Sequence, residues 1–89
     1  MTPELRELLR QRILSLLEAA SNLGLRENVI ALQLNAAGFE TTPLAVANEI
    51  FYLADKGFVT ATAKQISPEL KRWRITAEGR DYLASEGLA

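Results

Sequence analysis

The side chains best suited to binding in this sequence are cations and hydroxyls. Positive charge gathers toward the C-terminus: residues 58–89 hold five Lys and Arg against four Asp and Glu, whereas residues 1–57 hold five against seven. Cations at this density suit phosphate groups, and the residues expected to contact phosphate are Lys64, Lys71, Arg72 and Arg74. The alternative for Arg72 and Arg74 is that an alternating strand simply directs its polar side chains into water.

Catalytic chemistry finds little support in the residue types. The 89-residue chain has no Cys and no His, which excludes thiol and imidazole catalysis and zinc sites built on those ligands. The carboxylates Glu49, Asp55, Glu78 and Asp81 have no nucleophile or Gly-rich phosphate loop beside them in the sequence. We therefore expect no enzyme activity, no metal and no cofactor, and solvent-exposed roles for these acids.

The clearest helix is predicted over residues 3–22. Thr2 can cap it, and Pro3 suits its first position, where the missing N–H costs nothing. Its apolar stripe is Leu5, Leu8, Leu9, Ile13, Leu16, Leu17 and Ala20. Leu14 falls off this stripe and, with Leu23 and Leu25, adds apolar surface, so a homodimer through this helix is expected.

Two further helices are predicted over residues 26–37 and 42–56, the latter opened by Thr42-Pro43. The link of about four residues forces a steep crossing, which is the helix-turn-helix arrangement. The buried stripe predicted for the third helix is Leu44, Ala47, Ile50, Phe51 and Ala54, with Leu53. Its predicted outward face is Ala45, Asn48, Glu49, Tyr52 and Lys56.

The periodicity changes to alternation after Gly57. Residues 58–76 predict a β-hairpin with Trp73 and Ile75 directed toward the core, and Thr76 caps a last helix over residues 77–86. The predicted fold class is a mainly helical α+β structure, with residues 1–89 forming a single domain. The N-terminus lacks a signal peptide pattern and apolar runs are too short to span a membrane, so a cytoplasmic protein is expected.

Two phrases of this sequence resemble the winged helix-turn-helix family: Tyr52-Leu-Ala-Asp-Lys-Gly-Phe-Val59 and Trp73-Arg-Ile-Thr-Ala-Glu-Gly-Arg80. The first is similar to the family's junction between recognition helix and first wing strand, and the second to the entry of the second wing strand into the last helix. The resemblance covers about residues 5–83. It implies a three-helix core, a β-hairpin wing and a short C-terminal helix.

In that family the third helix usually enters the major groove of DNA and the wing contacts its backbone. Carried onto this chain, the resemblance implies phosphate contacts by Thr41, Thr42 and Tyr52 and adenine recognition by Asn48. Lys56 is the only cation on this face, no Arg lies there, and Glu40, Glu49 and Asp55 would repel phosphates. Asn48 also fits a solvent-exposed helix residue.

The resemblance therefore implies a small protein that binds double-stranded DNA, of the transcription-regulator type. The alternative is a winged-helix module that binds a protein partner, which the acidic third helix and the apolar surface of the first helix favour. Small proteins of this kind also resemble open reading frames of Mu-like prophages, which implies an accessory role in a phage or mobile element.

Overall fold

The computed structural model describes residues 2–62 and 71–88, and these form a mainly helical α+β structure, as predicted. The elements are α1 (Pro3–Ala20), a 3-10 turn (Ser21–Leu23), α2 (Glu27–Ala36), α3 (Pro43–Asp55), β1 (Val59–Ala61), β2 (Trp73–Ile75) and α4 (Ala77–Ser85). The α-helix bounds lie within two residues of the predicted ones. Residues 63–70, where the hairpin tip and Lys64 were placed, lie outside the described residues. None of the described helices has the length and apolar content needed to cross a membrane.

Three threonines begin three of the helices. The hydroxyl oxygen of Thr2 accepts a hydrogen bond from the Leu5 N–H, at 3.2 Å, and Thr42 accepts from the Ala45 N–H, at 3.1 Å. Thr76 accepts from the N–H of Gly79, at 3.1 Å. Each bond satisfies one of the N–H groups that a helix N-terminus leaves without a partner, which is why these helices begin where the capping residues stand.

Strand β2 is hydrogen-bonded on both of its edges. β1 pairs with it in antiparallel register, with Thr60 opposite Arg74 and Ala61 opposite Trp73. On the other edge, Leu25 forms a bridge to Trp73 through N–H···O bonds of 2.9 and 2.8 Å. Gly24 permits this approach: its φ is +74°, and a Cβ there would lie 2.6 Å from the Trp73 carbonyl oxygen.

The core is apolar and draws on every helix and both strands. Its buried side chains are Leu9, Ile13, Leu14, Leu17, Ile30, Ala31, Leu34, Val46, Ile50, Leu53, Val59, Trp73, Ile75 and Leu83. Trp73 is only 4% exposed, which confirms its predicted place in the core.

The prediction for the buried face of α1 was wrong at three positions. Leu14 is fully buried, whereas Leu5 is 50% exposed and Leu8 is 47% exposed. The reason is that α1 packs against α4 as well as against α2 and β2, so its buried arc extends to the side where Leu14 lies. Leu8 faces away from this arc, whereas Leu5 lies one turn before the buried Leu9, on the first turns of the helix, where the residues before Leu9 are all exposed.

The prediction for the buried face of α3 was also wrong in part. Leu44 is 73% exposed and Phe51 is 52% exposed, whereas Val46 is fully buried. Contacts with α2 and β1 turn Val46 and Leu53 toward the core, which rotates Leu44 outward. The Phe51 ring remains at the edge, in a T-shaped contact with Trp73 at 6.0 Å between ring centroids.

Candidate nucleic-acid interface

The solvent-facing side of α3 carries an amide between apolar side chains. Leu44, Asn48 and Phe51 stand at spacings of four and three residues, so they form one stripe along the helix. Asn48 is exposed as predicted, and its side chain forms no hydrogen bond with another described residue. Among the described residues nothing covers this side of the helix, and it is more apolar than predicted.

The N-terminal end of α3 presents one threonine hydroxyl and hides the other. Thr42 is exposed, and its hydroxyl can still donate a hydrogen bond while its oxygen caps the helix. The hydroxyl oxygen of Thr41 is buried without a hydrogen-bond partner among the described residues. The Asn35 side chain holds Thr41 in place, accepting from its N–H at 3.0 Å and donating to its carbonyl at 2.9 Å. Of the two threonine hydroxyls predicted to contact phosphate, only that of Thr42 faces solvent.

Glu49 does not lie free on the outward face of α3, where it was predicted. It is half-buried, and its carboxylate accepts a hydrogen bond of 2.6 Å from the Arg10 Nε on α1. Arg6 adds a second, longer contact at 3.9 Å. Because the arginines offset its charge, Glu49 repels an approaching phosphate less than the sequence implied. No local pattern could reveal this pairing, since the partners are 39 residues apart.

Tyr52 and Lys56 stand at the C-terminal half of α3, beside α1. Tyr52 is 39% exposed, and the Arg10 guanidinium lies 3.7 Å from its ring centroid. The Lys56 ammonium is exposed and lies 5.6 Å from the same ring. These contacts build a cationic edge in which Arg10, which the sequence analysis did not single out, takes part.

The strand pair separates the predicted cations onto two faces. Arg74 lies opposite Thr60 in the register, and the Thr62 backbone N–H donates to the Arg72 carbonyl at 2.8 Å, so Arg72 pairs with Thr62. Because side chains alternate along a strand, the side chains of Thr60, Thr62, Arg72 and Arg74 share one face. Lys71 belongs to the Trp73 face, and its ammonium lies 4.7 Å from the Trp73 ring centroid. Lys71 is therefore on the side that meets Phe51 of α3, and the arginines are on the other.

The exposed face of α3 thus has cations along both of its edges. Phe51 and Glu49 are two positions apart, about 200° around the helix, so they mark opposite edges. Arg6 and Arg10 flank the Glu49 edge, and Trp73 with Lys71 flanks the Phe51 edge. Lys71, Arg72 and Arg74 form no ion pair with the carboxylates of residues 2–62 and 71–88.

A cavity of about 230 Å³ lies where α1, α3 and α4 meet, with Leu14, Leu53 and Phe58 among its lining residues. Tyr82 stacks on Phe58 there at 5.0 Å between ring centroids. Burial raises the pKa of the Tyr82 phenol, and so does the hydrogen bond of 2.6 Å that it donates to Glu7. The described part of the chain contains no group of three acidic side chains placed to hold a metal ion.

No protein-family model matches this sequence, and comparison with curated proteins finds no significant relative.

Proposed function

We propose that this chain is a winged helix-turn-helix protein that binds double-stranded DNA, of the transcription-regulator type. The order of elements supports this fold: three helices, a strand pair that follows α3 directly, and a short last helix. The bridge from Leu25 to β2 supports it further, because it ties the strand pair to the segment between α1 and α2.

The observation that carries the proposal is that the cations on β2 and just before it form no ion pairs with the described carboxylates. Lys71, Arg72 and Arg74 form no ion pair with the described carboxylates, whereas Arg6, Arg10 and Arg80 pair with acids. Lys71 lies on the side of the strand pair that meets α3, and the two arginines lie on its other side. Cations on a strand pair that form no ion pair with the described carboxylates suit phosphate contacts on both sides of a groove. In this arrangement α3 lies in the major groove, where Thr42, Tyr52 and Lys56 contact the backbone and Asn48 meets the bases.

The test is binding to a random-sequence duplex, measured by fluorescence anisotropy at about 50 and 200 mM salt. Each phosphate contact contributes roughly 0.9 to the slope of log affinity against log salt. The double variant Arg72→Ala, Arg74→Ala should bind more weakly, with a salt slope smaller by about two.

A matched control removes the same charge elsewhere. Arg12→Ala with Arg80→Ala takes one cation from α1 and one from α4, and it should keep a salt slope within about half a unit of the parent's. Equal binding by the Arg72, Arg74 variant and the parent would refute the phosphate contacts proposed for β2. Absence of duplex binding at the lower salt would refute the function.

The exposure of Leu44 and Phe51 favours a second candidate function, that of a winged-helix module that binds a protein partner. Apolar side chains that stand exposed together on one helix face, as these two do in the described part of the chain, are typical of partner surfaces. This alternative predicts no binding to duplex at low salt. It also predicts a partner that the parent retains in a pull-down and that a Leu44→Ala, Phe51→Ala variant fails to retain. The resemblance to reading frames of Mu-like prophages would then favour an accessory role in a phage or mobile element.

A further inference from the structure

The stripe of Leu44, Asn48 and Phe51 combines side chains that match one kind of base pair. Leu44 and Phe51 are seven residues apart, which is about 10 Å along a helix and equals roughly three base-pair steps of a duplex. A helix lying along the major groove could therefore place these side chains against neighbouring base pairs.

We infer that α3 selects A·T base pairs through the major groove, an inference that rests on the proposed DNA binding. The Asn48 amide can donate to adenine N7 and accept from the adenine N6 amino group, a two-bond match that guanine does not offer. The side chains of Leu44 and Phe51 contact the C5-methyl group of thymine, which is the apolar group that a thymine presents in this groove.

The structure supplies what this recognition needs at each residue. Leu44 is 73% exposed and Phe51 is 52% exposed, so both can reach a partner without unfolding the helix. The T-shaped contact with Trp73 limits the rotamers open to the Phe51 ring, which lowers the entropy cost of binding. The Asn48 amide has no hydrogen bond to give up among the described residues.

Recognition of guanine has no comparable support on this helix. Arginine is the usual partner of guanine, and α3 contains none. On the α1 side, the Arg10 guanidinium is held by Glu49 and by the Tyr52 ring. Without arginine, α3 lacks the usual partner of guanine and is poorly suited to sites that contain G·C pairs. The same absence therefore fits a preference for A·T pairs.

The experiment compares three duplexes of equal length by fluorescence anisotropy at one salt concentration: A·T, G·C, and A·U with uracil in place of every thymine. We expect the A·T duplex to bind at least about tenfold more tightly than the G·C duplex. The A·U duplex keeps the base-pair edges of the minor groove and lacks only the methyl groups. We expect its affinity to be lower by roughly fourfold for each thymine methyl group that α3 touches in the A·T duplex.

Single variants test which residue produces the preference for A·T over G·C duplexes and which produces the preference for A·T over A·U duplexes. Asn48→Ala should reduce the preference for A·T over G·C by about tenfold, and Leu44→Ala should reduce the difference between A·T and A·U duplexes. Leu32→Ala, at a position that is 70% exposed on α2, is the matched control and should leave both ratios unchanged. Circular dichroism checks that each variant keeps its helix content.

Equal affinity for A·T and G·C duplexes overturns the inference and leaves the proposed function standing, as does equal affinity for A·T and A·U duplexes. Absence of binding to all three duplexes at low salt overturns the proposed function itself, so the two failures are distinguishable.

Discussion

Gly79 lets α4 pack directly against the segments that surround it. A Cβ at this position would collide with the carbonyl oxygen of Phe58 and would lie 2.6 Å from Ile75 Cγ1. Since a carbonyl oxygen and a fully buried isoleucine cannot move aside cheaply, the lack of a side chain is a packing requirement.

We expect Gly79→Ala to lower the free energy of unfolding by about 1–3 kcal/mol. At an exposed helix position the same change stabilises by roughly 1 kcal/mol, so the sign of the effect is the test. Urea unfolding measures it, and Asp81→Ala, at an exposed position of the same helix, should change stability by less than about 0.5 kcal/mol. A stabilising Gly79→Ala would mean that α4 does not approach β2 this closely.

Tyr82 makes stability depend on pH in the alkaline range. Because burial and the Glu7 hydrogen bond raise its pKa, the native chain holds the phenol proton more tightly than the unfolded chain does. Its contribution is fully present below about pH 10, the ordinary tyrosine value, and disappears as the pH rises through the raised pKa of the folded state.

We expect the free energy of unfolding of the parent to fall more steeply above about pH 10 than that of Tyr82→Phe. The phenylalanine keeps the stacking on Phe58 and removes the titrating hydroxyl. Urea unfolding at a series of pH values measures both curves, with Tyr52→Phe as the control that retains Tyr82. Parallel curves for the parent and Tyr82→Phe would show that the Tyr82 phenol does not contribute to the pH dependence of the free energy of unfolding.

Among the elements, the junction of β2 and α4 depends on Thr76 more than the other helix starts depend on their capping residues. Its hydroxyl oxygen caps α4, and the same hydroxyl donates a hydrogen bond of 2.6 Å to the Gly57 carbonyl. One side chain therefore joins the last helix to the turn between α3 and β1.

We expect Thr76→Ala to lower the free energy of unfolding by about 2 kcal/mol, because it removes a helix cap and a second hydrogen bond together. Thr2→Ala removes only the exposed cap of α1 and should cost about 1 kcal/mol or less. Chemical denaturation compares the two, and Thr76→Ser should restore most of the stability. Equal costs for Thr76→Ala and Thr2→Ala would show that the bond to Gly57 is unimportant.

For the whole molecule, the homodimer through α1 stays a prediction, and the structure changes which residues it must use. Leu14 is buried inside its own chain, so the exposed apolar side chains left for the dimer are Leu5 and Leu8 on α1 and, in the turn that follows it, Leu23, which is 68% exposed. Apolar side chains spaced along an exposed helix can be covered by a second copy through two-fold symmetry.

Sedimentation equilibrium should give a mass of about twice the 9.8 kDa of one chain. Leu5→Glu with Leu8→Glu should shift this mass to that of one chain, because a dimer would have to bury two carboxylates per copy. Leu32→Glu on α2 is the control and should leave the mass unchanged. A parent that sediments as a single chain would rule out the dimer.

Local interactions made the helices and their starts predictable from the sequence alone. Capping hydroxyls, prolines at the first helical position and glycines after helix ends act on neighbours within about four residues, so Thr2, Thr42 and Thr76 each marked a helix start. The alternation of Trp73 and Ile75 likewise predicted a strand with these two side chains in the core, where both are buried. Phosphate binding by the cations of residues 58–76 remains a prediction.

The tertiary structure alone decided how each helix is rotated and which charges meet. Apolar residues cover a wide arc of α1 and of α3, so the pattern allows several rotations, and the packing of distant elements selects one that buries Leu14 and exposes Leu44 and Phe51. The Arg10–Glu49 pair depends on the same packing, because it joins two helices that are far apart in the sequence. Sequence periodicity reflects the geometry of one helix, whereas the rotation of a helix and its ion pairs depend on contacts between elements. For this reason only the tertiary structure showed which side chains form the exposed surface of α3.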